Sequence, residues 1–421
     1  MNVSTLTVSL SDVVRRPVID RDGCRIGTLA DVLIRLRQDD YPIVSGLVVA
    51  VGTLRSVVPA GFLAAMGPGQ VRLRCSTSQS GTFARREGEV LLRDDVLDHR
   101  LIDLVRVAFV KAYDVQLTQM VDGWAVTGLD VHRRRWLGLG IRHAAHPPRD
   151  WRDFEPLIGH AESARVRRAR GRIPVLKPAQ IADIIEEAND DEQGELLAQV
   201  HANPELEADV FAELDEDSQS ELFRDRSDAE VAEVLSRMQV DDAADAIMDL
   251  PRERRSPVLD QLPEPQRTDV HRLLGYHDLT AGGLMGTDFV AVQDSLTVAD
   301  AIEAVRAGAE VGMQPQALVT VYALRADGTL SGCLSLVRAV QADPRQQISE
   351  LEGTGVVAAS AGDDIARVTR RMSDFNLLAL PVVDDEDRII GLVTVDDALE
   401  AAIPEDWSRR EMRHRETGSE S

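Results

Sequence analysis

The chain has 421 residues, with 71 acidic against 47 basic side chains and a formal net charge of −24. Such acidity disfavours nucleic acid as a general partner, because phosphate backbones reward basic surfaces, and the length points to three or four domains. Uninterrupted apolar runs reach about five residues, as at 47–51, against the roughly 20 needed to span a bilayer, so no membrane-spanning segment is expected. Three cysteines, Cys24, Cys75 and Cys333, stand far apart with no CxxC pair. The N-terminus lacks the apolar core of a secretory signal, so a reducing, cytoplasmic setting is expected.

In chain order, the first feature is an internal repeat at an offset of 83 residues, 12–34 against 95–117. Asp12-Val13-Val14 matches Asp95-Val96-Leu97, Val18-Ile19-Asp20 matches Leu101-Ile102-Asp103, and Asp31-Val32 matches Asp114-Val115. Asp22-Gly23 marks a tight turn between strands, which the second copy replaces with Leu104-Val-Arg-Val. Two small all-β units are predicted, at 1–82 and 86–145. The segment resembles a tandem PRC-barrel, a small β-barrel used mostly for protein contacts, which implies an unidentified protein partner.

A connector at 146–176 follows, crowded with arginines that include Arg149, Arg152, Arg165, Arg167, Arg168, Arg170 and Arg172 and broken by prolines. Two readings are open: a solvated linker, or a basic segment that docks on the acidic region downstream or, as a peripheral contact, on anionic lipid headgroups.

Residues 177–276 read as a helical domain. Between Asp183 and Asp249 there are 23 acidic residues against 3 basic ones, which accounts for nearly all of the net charge. The pattern repeats at about 24 residues: turns at Leu214-Asp-Glu-Asp, Met238-Gln-Val-Asp-Asp and Leu262-Pro-Glu-Pro each follow an apolar i, i+3, i+4 face. A short α-superhelix of stacked helix pairs is expected.

Two β/α units then follow, at 277–345 and 346–404. Each has a strand, an amphipathic helix (298–305; 365–372), a buried strand (318–323; 378–383), an Asp-rich turn and a further strand, with Gly332 and Gly391 at equivalent positions. Residues Leu380-Pro-Val-Val-Asp384 and Gly391-Leu-Val-Thr394-Val-Asp-Asp397 closely resemble the CBS motif. In the first unit Arg338 stands where an acid is expected after Ser335. The resemblance to CBS pairs implies an adenine-nucleotide site, such as one for ATP, with Thr394 and Asp397 on ribose and phosphate, and a homodimer formed through the pair. The fold class expected is multidomain α+β: N-terminal small β-barrels, a central α-superhelical repeat and a C-terminal tandem CBS pair.

The junction Leu279-Thr-Ala-Gly-Gly-Leu-Met-Gly-Thr-Asp-Phe-Val-Ala-Val292, set between an acidic helical repeat and a CBS pair, resembles the cytosolic part of MgtE-type magnesium transporters. That resemblance implies Mg²⁺ as a regulatory ligand that closes the helical domain onto the CBS pair. The carboxylates it implies are Asp209, Asp241 and Asp245 on the helical side and Asp397, Glu400 and Glu405 on the CBS side, with Asp241 facing Asp397 as the central bridge. Near Ser373 the family uses a carboxylate where this chain has Asn376. Physical chemistry allows such a switch: two carboxylates about 4 Å apart repel by roughly 4 kcal/mol at an effective dielectric near 20. Mg²⁺ reverses the sign while keeping several waters, so one or two carboxylates per ion suffice.

Each of these acids is equally readable as a solvated helix face or cap. His143 and His146 lack a partner at ligand spacing, and no nucleophile elbow, phosphate loop or other catalytic constellation appears, so no enzyme is expected. Where the family continues into a channel, Pro404 interrupts the helix and a charged tail at 405–421 follows. The expectation is therefore a soluble magnesium-sensing regulatory or scaffold protein without a pore. The alternatives are a nucleotide-sensing CBS regulator and an accessory subunit of a separate magnesium channel.

Overall fold

The computed structural model describes residues 6–37, 40–76, 81–82, 86, 88–132, 147–156, 172–351 and 356–403. The chain divides into two compact units, Met1–Leu214 and Asp215–Ser421.

The first unit opens with β1 (Thr7–Ser9), β2 (Pro17–Ile19), β3 (Arg25–Arg35), β4 (Ile43–Val51), β5 (Leu54–Pro59), β6 (Leu63–Met66), β7 (Val71–Leu73), β8 (Gly81–Thr82) and β9 (Glu89–Leu91). It continues with β10 (Arg100–Asp103), β11 (Ala108–Lys111), β12 (Asp114–Met120), β13 (Gly123–Asp130), β14 (Arg149–Asp150) and β15 (Phe154–Pro156). Among the described residues twelve of these strands share one sheet, and β11-β10-β15 form a second. Alternation along β3 sends Val32 into the main core and Leu33 into a small cluster with Val48 and Leu91 on the other face.

The two repeat copies are not separate along the chain. β1 pairs with β12 and β9 with β3, so strands are exchanged in both directions across the expected cut near residue 82. One core runs from Val8 through Leu92 to Phe154. The exchange is sealed by the repeat's own aspartates. Asp31, fully buried, accepts from the backbone N–H groups of Arg93 and Asp94, and the equivalent Asp114 accepts from the N–H and hydroxyl of Ser11. Each copy's Asp thus caps a helical turn in the other (Leu92–Val96 and Leu10–Val13). Burial pushes the Asp31 carboxyl up to about 6 despite these donors.

A second pair of matched aspartates forms the turns. Asp20 accepts from the N–H of Asp22 and Cys24, and Asp103 from those of Val105 and Arg106. The first copy places Gly23 at φ +85°, whereas the glycine-free second copy puts Val107 at φ +52°.

The described connector arginines pair with acids of the β domain, and not with the acidic helices that were the alternative expectation. Arg149 meets the fully buried Asp103, Arg152 meets Asp150, and Arg172 meets Glu155. Residues 133–146 and 157–171, with His143, His146 and the remaining arginines, lie outside the described residues.

Helices α1 (Pro178–Glu187), α2 (Asp190–Val200) and α3 (Pro204–Ala212) complete the first unit. The second begins with α4 (Glu216–Arg224), α5 (Asp228–Leu235), α6 (Val240–Asp249), α7 (Arg252–Leu259) and α8 (Glu264–Leu273). Starts at Pro204, Asp228 and Arg252, and at Glu216, Val240 and Glu264, reproduce the 24-residue period. Asn189, Asn203, Asp215 and Ser227 cap their helices through side-chain oxygens. The apolar residues leading into each turn, Val210, Phe211 and Leu214, then Val231, Val234, Leu235 and Met238, then Val258 and Leu262, are buried, and Leu259 beside them is half-buried.

The C-terminal halves each hold a three-stranded sheet, β16 (Val290–Gln293), β17 (Thr320–Leu324) and β18 (Leu330–Ser335), then β19 (Ala359–Ser360), β20 (Ala379–Val383) and β21 (Ile389–Thr394). In both, the first pair is parallel and the second antiparallel, and Ala323↔Gly332 mirrors Val382↔Gly391. Their helices are α9 (Val298–Glu310) and α10 (Leu336–Gln341), then α11 (Ile365–Phe375) and α12 (Val395–Ala402). Helix α9 outruns the expected 298–305, and Leu318 ends a short helical turn and does not open β17. Tyr322 packs with Ala379 and Leu392, joining the two halves.

Candidate metal-binding cleft

Within the second unit, α6 begins after Gln239, whose side chain does not cap it. Asp241 and Asp242 occupy its first turn, and Ala243, Ala244, Ala246 and Ile247 form its buried face. Small alanines let the helix lie close to its neighbours.

The junction phrase brings α6 to the second of the C-terminal halves. Gly286 exchanges two backbone hydrogen bonds with Leu392 of β21, each 2.9 Å. A side-chain carbon at Gly286 would stand 3.9 Å from both carboxylate oxygens of Asp241. Gly391 makes the approach possible, since a Cβ there would meet the Gly286 carbonyl oxygen and the Met285 sulfur at 2.7 Å. Gly282 is constrained similarly, because its Cβ would fall 2.6 Å from the Tyr276 ring. These glycines serve close packing. We expect Gly391→Ala to push the junction strand away and destabilise the second unit by about 2 kcal/mol, read as a lower melting temperature and faster proteolysis near residues 277–289.

Thr394 is the N-cap of α12. Its N–H donates to Asp397 Oδ2 at 3.2 Å, and its hydroxyl lies 2.5 Å from both Asp396 Oδ1 and Asp397 Oδ2. The residue pair suggested for ribose and phosphate is therefore engaged in a capping box.

Asp241, Asp242, Gly286, Asp288, Thr394 and Asp397 line one small cleft, together with Gln239 and Gln314. Its cavity volume is about 30 Å³, against the roughly 10–15 Å³ that one water requires, so it has room for an ion or one or two waters and is far too small for a nucleotide. Burial first, and then Asp397, pushes the Asp241 carboxyl well above the carboxylate range. Burial and then Asp241 do the same to Asp242, with Asp397 and Glu400 adding to it. Asp397 is raised by burial against the opposing Thr394 bonds, and the exposed Glu400 by burial and then Asp397. Asp241 Oδ1 is buried with no hydrogen-bond partner.

These residues fit a divalent cation. A buried, unpartnered carboxylate oxygen facing another carboxylate is costly unless a proton or a metal occupies the gap. Among the described residues no three His, Cys, Asp or Glu groups already form a ligand cage.

Of the residues singled out from sequence, Asp241, Thr394 and Asp397 line this cleft. Glu400 joins them electrostatically through Asp242. Asp245 lies one turn along α6; its carboxyl is exposed at the surface yet pushed up to about 7 by burial of its inner side, then by Asp278, Asp249 and Glu216. Asp209 belongs to α3 of the first unit, where burial and then Glu205 raise it. Glu405 lies outside the described residues. Asn376 ends α11 at φ +52°, the left-handed position that Asn tolerates, so its role there is a helix stop. Asp242, Asp288 and Gly286 were missed. Helical periodicity sets Asp242 about 100° from Asp241, and no sequence signal places a linker glycine against a carboxylate.

Residues 176–278 match the model of the MgtE intracellular N domain, and residues 348–403 match the CBS domain model. The magnesium transporter MgtE of Thermus thermophilus is 33% identical over 196 residues, 46% of this chain and 43% of that protein. The Bacillus subtilis MgtE is 24% identical over 241 residues, 57% of this chain and 52% of that protein. The chain thus spans about half the length of these curated relatives. A crystal structure of the cytosolic domain of the Mg²⁺ channel MgtE in complex with ATP is 28% identical, with a TM-score of 0.51, covering 57% of this chain and 93% of the other. A second, of the soluble part of a magnesium transporter, matches in fold at 24% identity and a TM-score of 0.51, covering 56% and 93%. The chain therefore carries an MgtE N domain followed by a CBS domain, and among its described residues no helix is long and apolar enough to cross a membrane.

Proposed function

We propose that this protein senses Mg²⁺ as a regulatory or scaffold component of magnesium homeostasis, without enzymatic activity. The cation bridges the first turn of α6 and the first turn of α12, and holds the helical domain closed on the CBS pair. The observation that carries this reading is the buried, unpartnered Asp241 Oδ1 in a cleft shared with Asp397. The likeness to cytosolic parts of magnesium transporters supports the choice of ion. The N-terminal sheet, read as PRC-barrel-like, would present the state to a protein partner in the cytoplasm, and the CBS pair would form a homodimer.

Small-angle scattering and limited proteolysis from zero to about 20 mM Mg²⁺ at constant ionic strength test the proposal, beside an Asp241→Ala/Asp397→Ala variant. Compaction and protection in the wild type, lost in the variant, are expected. A parallel ATP titration addresses the second reading, a nucleotide-sensing CBS pair, which the ATP bound to the MgtE cytosolic domain favours. A response to ATP with none to Mg²⁺ would replace the first reading with the second. Capture of a membrane channel by the protein would instead favour an accessory-subunit role.

A further inference from the structure

Among the described residues, an arginine outside the arginine-rich connector ties the acidic helices to the β domain. Arg100, on β10, donates to Glu192 Oε2 at 2.9 Å and to Glu187 Oε1 at 3.2 Å. It also reaches the Glu187 carbonyl oxygen at 3.4 Å. Glu187 ends α1 and Glu192 lies in the first turn of α2, so a single guanidinium spans two helices. The planar fork is suited to that task, and a lysine ammonium is not. Arg100 is also held in place from behind, with its Cζ 3.7 Å from the centre of the Phe109 ring on β11.

Glu192 has a second duty. The same Oε2 accepts from the N–H of Asn189, while Asn189 Oδ1 accepts from the N–H of Glu192, closing the capping box that starts α2. The β domain's cation therefore sits on the group that nucleates the second helix. A few residues earlier the chain is fastened to the same small sheet: Arg172 donates to the Glu155 carboxylate at 3.1 Å and to the Phe154 carbonyl, and Ile173 beside it is fully buried. The compact division of the chain agrees, since it falls after Leu214, beyond α3, and groups α1–α3 with the β domain.

We propose that Arg100 is a positioning residue that makes the sheet β11-β10-β15 the end-cap of the acidic helices, so that the β domain and α1–α3 behave as one cooperative body. Terminal elements of a helical repeat need a cap that their missing neighbour would supply. Here a β-sheet fills that place, and an opposite charge fixes its register on the helices. A partner that pulls on the β domain is then felt at the first turn of α2, and loosening of that turn is felt at β10. This holds whether or not the protein senses Mg²⁺.

Hydrogen exchange on the full chain tests it, with Arg100→Ala, Arg100→Lys, Glu192→Gln and the Ala/Gln double variant. Glutamine at position 192 retains the capping box and removes the charge. Arg100→Ala is expected to speed exchange in α2 and β10 roughly tenfold, leave residues 379–394 unchanged, and be partly rescued by lysine. The double variant should be no worse than Arg100→Ala alone. Unchanged exchange in α2, equal acceleration throughout the chain, or strict additivity in the double variant would each overturn the proposal.

Discussion

Asparagine in place of Asp241 should raise the melting temperature of the metal-free protein and abolish most of its gain from Mg²⁺. In the folded chain this carboxyl is buried against Asp397 with one oxygen unpartnered. At neutral pH it must either hold a proton out of its ordinary range or stand charged against like charges. The amide removes that cost, for a gain of about 1–2 kcal/mol, or roughly 2–8 °C. It also removes the anionic oxygen a cation needs. In the wild type, Mg²⁺ at ten times its dissociation constant should add about 1.4 kcal/mol. A metal-free variant less stable than the wild type, with an undiminished Mg²⁺ shift, would sink the cleft as the sensing site.

The same groups fix a pH dependence. Asp241, Asp242, Asp245, Asp397 and Glu400 are all raised when folded, Asp245 to about 7. Between the ordinary carboxyl range and those raised values the folded state binds more protons than the unfolded one, so this contribution to metal-free stability is lost as pH rises through that window. The paired acids oppose it. Arg152 and other donors bring Asp150 down to about 2, and Asp363 is lowered by Arg367 and Arg371 against the effect of burial. Their stabilisation is present above the ordinary range and is lost as pH falls through the depressed values. On the proposed function Mg²⁺ binds the deprotonated cleft, so its stabilising increment should grow with pH. Calorimetry with chelator and with Mg²⁺ between about pH 2 and 8 separates these trends, the raised acids acting above the ordinary carboxyl range and the lowered ones below it.

Arg149→Ala should be the most damaging single change in the β domain. Asp103 is fully buried, and the Arg149 guanidinium holds both of its oxygens while lying 4.7 Å over the Phe154 ring. Without it the carboxylate keeps the N–H groups of Val105 and Arg106 and a distant Arg106. Removing one partner of such a buried pair costs about 3–5 kcal/mol, because the other charge is left stranded. A fall of roughly 6–15 °C is expected in the first unit's unfolding. Asp103→Asn should recover part of it, since the stranded charge is then gone. A loss no larger than that from an exposed arginine would contradict this account.

The sequence carried much of the architecture, because its periods are physical. The 83-residue β repeat, the 24-residue helical period and the twin β/α units each place apolar residues at the spacing of the element they form, and burial follows from that spacing alone. Asp20 and Asp103 were visible as matched positions of the repeat, but their shared task of holding the turns came from the structure. The central pair, Asp241 and Asp397, came from the likeness to a known family and not from spacing, since in an acidic stretch each carboxylate resembles its neighbours.

Tertiary structure alone decided the rest. It exchanged β1 and β9 between the repeat copies, so that Asp31 and Asp114 cap each other's helical turns. It turned the described connector arginines toward the β domain, set Arg100 across two of the acidic helices, and set Gly286 beside Asp241. The physical reason is common to all three. Local pattern fixes which face of an element is buried, whereas the pairing of one charge with another depends on distances between elements far apart in the chain.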